Sequence, residues 1–271
     1  MQKHCSLGLV LGFISVSTLL GENTASAVVS YSSGTGFASG YTNTSSVIGL
    51  PSRVTSGPFG GPVDPFNSPY LPTQLLSVGT GGSVTLQLTE PFHDNPDHPF
   101  GLDFSIFGNA FFIITNGDYS GGGITDGTIF PETPSVTRVS VSGDGEAFFE
   151  LTPSLAPSLV TYYPTDGSGR FDQAVNPALT AVDFAGRDIA GIRNLYGGSA
   201  GGTGYDLAWA RNASGESVRV GDINFVRIDV LAGHAEIGGI SVVPEPSILS
   251  MLGLVGMMAL ARINQTRSRT R

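Results

Sequence analysis

The sequence predicts an all-β fold, an antiparallel β-sandwich of jelly-roll type, on three observations. Short runs alternate apolar and polar residues at a period of two. Glycine is frequent, 38 in the chain, and with Ser, Thr, Asn and Pro it fills the spaces between those runs. No long stretch carries the apolar period of a helix, and strand-type and helix-type patterns do not alternate, which disfavours a parallel βα architecture.

Taken in order, the polar stretch 30–46 reads as an arm or an early edge strand. In 82–88, Val84, Leu86 and Leu88 fall on one face, and Leu102, Phe104 and Ile106 do the same in 102–107. Residues 110–114 are a continuous apolar run. Val139 and Val141 share a face, and Ser142-Gly143-Asp144-Gly145-Glu146 turns the chain into 147–151, the clearest hairpin. A second hairpin is expected from 223–230 and 235–243 around Leu231-Ala232-Gly233-His234. Between them, 152–205 is rich in turn residues, and stretches that long inside a domain are functional or hide short elements. The piece 176–184 suits one or two helical turns.

The two ends carry addresses. Residues 1–6 include Lys3 and His4, 7–20 are mostly apolar, and Ala25-Ser26-Ala27 fits the small-residue cleavage pattern of a secretory signal peptide, so 1–27 reads as a signal and the mature chain as starting near Val28. The single cysteine, Cys5, precedes the apolar region, which leaves the mature chain without disulfides. At the other end, Val243-Pro244-Glu245-Pro246 is followed by the apolar run 247–261 and a tail with Arg262, Arg267, Arg269 and Arg271. About 15 residues at a rise of 1.5 Å give roughly 22 Å, short of a hydrocarbon core of ~30 Å, so the run is a marginal span. The arginine flank sets its orientation, tail in the cytoplasm and the rest outside.

That order of Pro-Glu-Pro, hydrophobic segment and basic end resembles the PEP-CTERM domain, a bacterial sorting signal read by an exosortase, and covers about a tenth of the chain. The resemblance implies processing near Pro244, Glu245 and Pro246, transient anchoring in the inner membrane, and delivery to the outer surface of a Gram-negative-type bacterium, often one that makes exopolysaccharide. Export machinery, signal peptidase and exosortase are the partners implied. The blocks 101–110, 139–145, 202–210 and 225–228 look like those of uncharacterised bacterial cell-surface proteins, which implies for 28–243 a sandwich akin to galactose-binding-like modules and lends no catalytic residues.

Composition removes several functions. Residues 28–243 hold 20 Asp and Glu against 8 Arg and no Lys, a balance near −12 that disfavours nucleic acid and anionic lipid. The missing lysine also removes a P-loop and any lysine Schiff base. Gly197-Gly198-Ser199-Ala200-Gly201 satisfies G-x-S-x-G, with Asp206 or Asp222 and then His234 in hydrolase order, but Ser199 lies in a glycine-rich run without the strand-to-helix turn of a nucleophile elbow.

In His93-Asp94-Asn95-Pro96-Asp97-His98 the two imidazoles are five apart, matching neither a helix face nor common zinc spacing, with His234 the only third imidazole left. Calcium is the expected ion, since extracellular modules bind it through acidic loops. Asp94, Asp97, Asp103, Asp118, Asp126 and Asp206 are available. Asp103, expected on the outer face or a rim of its strand, is the one that Asp206 would meet there.

Tyr119, Tyr162, Tyr163, Tyr196, Tyr205 and Trp209 are candidate sugar platforms, with Trp209 read rather as core. No local signature selects a carboxylate pair for glycoside hydrolysis. Asn43-Thr44-Ser45 and Asn212-Ala213-Ser214 are weak glycosylation matches. The sequence thus reads as a non-enzymatic, surface-sorted structural or adhesive protein of the envelope or extracellular matrix that binds polysaccharide. A secreted hydrolase of polysaccharide or esters, with Ser199 and His234, is the second reading.

Overall fold

The computed structural model describes residues 22–130, 135–152, 154–157 and 162–245. The expected signal segment up to residue 21, Pro246, the apolar run and the arginine tail lie outside the described residues. Among those described, no helix is long and apolar enough to cross a membrane.

The strands are β1 (Ala25–Ser32), β2 (Val54–Thr55), β3 (Gly61–Pro62), β4 (Leu76–Gly79), β5 (Ser83–Phe92), β6 (Phe104–Gly108), β7 (Phe111–Phe112), β8 (Ile129–Phe130), β9 (Val136–Ser142), β10 (Phe149–Leu151), β11 (Thr203–Tyr205), β12 (Ala210–Arg211), β13 (Ile223–Ala232) and β14 (His234–Val242). Two short helices, α1 (Ala181–Phe184) and α2 (Ile189–Tyr196), precede β11. One antiparallel sheet runs β1-β5-β13-β9-β10-β12 and the other β11-β6-β14-β4, while β2-β3 and β7-β8 are small ribbons. The all-β antiparallel sandwich expected from the sequence is the architecture observed.

Alternation explains the core. Val84, Leu86 and Leu88 of β5, Val139 and Val141 of β9, and Val226, Ile228 and Val230 of β13 join Phe104 and Ile106 of β6 and Leu76 and Val78 of β4 in one buried cluster. Each such side chain, fully buried, contributes about 1.5–3 kcal/mol. In β14 a register shift between Ile237 and Gly239 lets both Ile237 and Ile240 reach that cluster, although they are three apart.

Two boundaries differ from expectation. The hairpin around 142–146 forms, with Phe149 opposite Val141. The second does not: β13 pairs with β5 and β9, and β14 with β4 and β6, so the chain crosses from one sheet to the other at Gly233, whose φ of 75° permits the corner. Each of the two strands already has two partners. At the N-terminus, the cleavage expected between Ala27 and Val28 falls inside β1. Ala25 is buried and opposes Leu88, Ala27 opposes Gln87, and Val28 to Ser32 continue the ladder to Ser83. The folded domain therefore begins a few residues before Val28.

The stretch 152–205, expected to hide short elements, holds a second small core. Phe112, Tyr163, Val175, Phe184, Ile192 and Tyr196 pack together there. Asp188 accepts from the Gly191 N–H to start α2, and Gly197, with φ 60°, ends it. This layer covers the outer face of the four-stranded sheet. Phe107 packs edge-to-face on Phe171 at 5.1 Å, and a Cβ on Gly202 would come within 2.6 Å of Phe107, so only glycine fits there. Hence every residue of β6 is buried, on both faces.

Arg193 on α2 fastens the layer. Its Nε and Nη2 donate to the two oxygens of Asp166 at 2.7 and 3.1 Å. Burial raises the Asp166 pKa, but the Arg193 fork and the Ser168 bonds outweigh it and hold that carboxyl below its usual value. Arg193→Ala is expected to cost about 2 kcal/mol by urea unfolding, less than for a fully buried pair because the Arg193 side chain is 41% exposed. Because the folded pKa is depressed, this contribution is present above about pH 4 and is lost as pH falls below it, so the variant's penalty shrinks in acid.

Candidate functional site

The acidic residues singled out in the sequence meet at one end of the sandwich. Asp103 directly precedes β6. Its N–H donates to Tyr205 O and its carbonyl accepts from Val243 N, both at 2.8 Å, which pins it between β11 and the end of β14. Asp206 follows β11 and caps the 3-10 turn Leu207–Trp209, accepting from Ala208 N at 2.7 Å. Asp94 comes in on the loop after β5. One carboxylate oxygen from each of the three lies within 4.8 Å of the others.

The expected meeting of Asp103 with Asp206 is thus present, but the place of Asp103 is not the one predicted. It is 0% exposed rather than on an outer face or rim, because the 93–98 loop and the 3-10 turn close over it. Its Oδ1 accepts from Asn95 N at 3.1 Å and faces His98 Nδ1 at 3.0 Å, and its Oδ2 accepts from Leu207 N at 2.8 Å. Burial, then the charges of Asp103 and Asp94, raise the Asp206 pKa to about 6 against the opposing Ala208 N–H bond. Between His98 and Asp103 the chain makes a tight turn in which Phe100 has φ 62°, a left-handed conformation costing roughly 1–2 kcal/mol for a non-glycine residue.

Asp118 and Asp126 serve their own turns instead. They accept from Ser120 and Thr128, bonds that lower both pKa values. Asp97 is likewise outside the three-carboxylate group. Glu245 does join this end of the molecule: its carboxylate approaches Asn95, His93 and His98. Nothing local in the sequence marks that contact, which spans about half the chain.

The aromatic candidates separate by burial. Tyr163, Tyr196 and Tyr205 are core residues, Tyr162 is half-buried and packs edge-to-face on Tyr163, and Trp209 is half-buried against the main core. Tyr119 is 80% exposed, and Phe59, which the sequence did not single out, is 83% exposed. These two rings line one cleft of about 460 Å³ together with Asp64, Asn67 and Asp118. Asp64 is partly buried, and that burial, opposed by bonds from the Phe66 and Asn67 N–H groups, raises its pKa. A second groove, of about 530 Å³, crosses the outer face of the six-stranded sheet. Its Arg138 and Arg227 share one carboxylate, donating to Oδ2 and Oδ1 of Asp229.

Ser199 is buried, donates to Gln173 O and accepts from Gly201 N. The helix α2 precedes it rather than leaving from it, the reverse of a nucleophile elbow. His234 is exposed at the start of β14, opposite Gly79. Compared with known proteins, the chain matches no family model and no curated protein.

Asp206→Asn keeps a side chain able to cap Ala208 and removes one of three crowded charges. Without divalent cations at pH 7 it is expected to stabilise the protein by about 1 kcal/mol, a figure reduced for the half-exposed position. The wild-type carboxyl, with its raised folded pKa of about 6, loses its stabilising proton as pH climbs. The variant's advantage, read from thermal melts, should therefore grow between about pH 4 and that value and stay level above it.

Proposed function

We propose that this is an exported protein, sorted to the bacterial surface through its C-terminal signal, that acts as a non-catalytic structural or adhesive component of the envelope or extracellular matrix and binds polysaccharide. The observation that carries the binding part is the cleft between Phe59 and Tyr119. Both rings are exposed and border the same cleft, where they flank carboxylate and amide groups. Aromatic faces suit the apolar faces of sugar rings, while Asp64, Asn67 and Asp118 suit their hydroxyls.

In its finer detail the sandwich is read as a jelly roll of galactose-binding-like kind, with its ligand cleft built from loops. Calcium at Asp94, Asp103 and Asp206 belongs to the same reading, since a weakly held cation would relieve the repulsion among those carboxylates. The sorting part rests on the order of Pro-Glu-Pro, apolar run and arginines in the sequence.

Affinity electrophoresis through the producing organism's own exopolysaccharide tests the binding. The wild type should be retarded, and Phe59→Ala and Tyr119→Ala should each weaken retardation at least about fivefold, as truncation of a contributing contact residue does. Exposed sites like these leave stability within about 0.5 kcal/mol. Unretarded wild type would refute the reading. For the cation, millimolar calcium should raise the wild-type Tm and leave that of Asp206→Asn unchanged.

A further inference from the structure

Glu245, the acid of the Pro-Glu-Pro motif, is held against the sandwich. Its Oε2 accepts from Asn95 Nδ2. Its Oε1 lies 3.5 Å from His93 Nε2 and 3.6 Å from His98 Nε2, so two imidazoles converge on one carboxylate oxygen.

His98 is the fixed member. Its side chain is 2% exposed, its Nδ1 sits 3.0 Å from Asp103 Oδ1, and its Nε2 is a buried atom without a hydrogen-bond partner. An ionised carboxylate only accepts, so in the neutral ring the proton belongs on Nδ1 and the Nε2 lone pair faces Glu245, itself an acceptor. Two acceptors facing each other in a buried place cost free energy unless a proton or a metal ion lies between them. An imidazole that gives its Nδ1 proton to a buried carboxylate and presents a bare Nε2 is the arrangement that orients metal-binding histidines.

Ligand atoms bound at about 2.0–2.1 Å to a tetrahedral ion stand roughly 3.4 Å apart. The two imidazole–carboxylate separations, 3.5 and 3.6 Å, match that spacing, while the two imidazole nitrogens stand farther from each other, so His93 has to swing inward to complete the set. The His93 side chain, 56% exposed, is free to close by rotation.

We propose that His98 Nε2, His93 Nε2 and the Glu245 carboxylate bind a zinc-class divalent ion, with Asp103 orienting His98, so that the metal fastens the Pro-Glu-Pro motif to the loop 93–98. Two nitrogens and one carboxylate suit zinc, whereas the neighbouring Asp94–Asp103–Asp206 group, all oxygen, suits calcium. The absence of zinc spacing between the two histidines is no obstacle once the third ligand arrives from the far end of the domain. The proposal stands independently of polysaccharide binding.

The test is titration of the full-length, chelator-stripped chain with Zn²⁺ by calorimetry, and with Co²⁺ by its four-coordinate absorption spectrum. One ion per chain is expected, with millimolar calcium failing to displace it. Glu245→Gln and His93→Gln should each weaken zinc binding at least about tenfold, and Asp206→Asn should leave it unchanged. His98→Gln should abolish it; if that buried substitution prevents folding, the two half-exposed positions still decide. Three results would overturn the proposal: no stoichiometric zinc binding by wild type, unchanged affinity in both Glu245→Gln and His93→Gln, or loss of zinc in Asp206→Asn alone.

Discussion

A carboxylate with no exposure to water governs one whole end of this molecule. Asp103 sits where β6, β11 and β14 come together, and an unpaired charge there would cost several kcal/mol. The structure meets that cost with partners from two segments: Asn95 N and His98 Nδ1 of the 93–98 loop, and Leu207 N of the turn after β11. These bonds hold both segments in place. The 93–98 loop folds over the sheet end, the turn after β11 is positioned to bear Asp206, and His98 is left with its other nitrogen aimed at Glu245. The strained Phe100 is the local consequence of bending the chain tightly enough to set His98 over Asp103.

The long segment before β11 plays the corresponding role on the outer face. By burying Phe107 under Phe171 and clamping Asp166 with Arg193, it turns β6 into a strand buried on both sides. The sandwich therefore exposes chemistry chiefly at its loops and ends, where the Phe59–Tyr119 cleft and the acid and histidine groups lie, and this is where binding residues gather on rigid scaffolds.

The legible parts of the sequence were those set by short-range pattern. Period-two alternation marked β5, β6 and β9, and Ser142 to Glu146 marked the hairpin. The corner at Gly233 looked like a second hairpin because its composition is that of a tight turn, while the choice of sheet is made by partners far away in the chain. Helix α2 was missed although Asp188 and Gly197 bound it, because it spans only eight residues with a glycine and an asparagine inside. That Asp103 and Asp206 would meet could be foreseen from a charged residue on a strand and another after Gly204-Tyr205. That Asp103 would be buried could not, since the covering loop carries no apolar pattern. The contact of Glu245 with His93 and His98 joins segments about 150 residues apart and left no trace in local spacing.

The ordering role of Asp103 is tested most directly at the ring it holds. Long-range ¹H–¹⁵N NMR of the imidazoles, assigned by comparison with His98→Gln, reports which nitrogen of His98 carries the proton. A single Nδ1–H tautomer of the neutral ring, lost in Asp103→Asn, is the expected result. An Nε2–H tautomer, or a ring averaging between the two in the wild type, would contradict it.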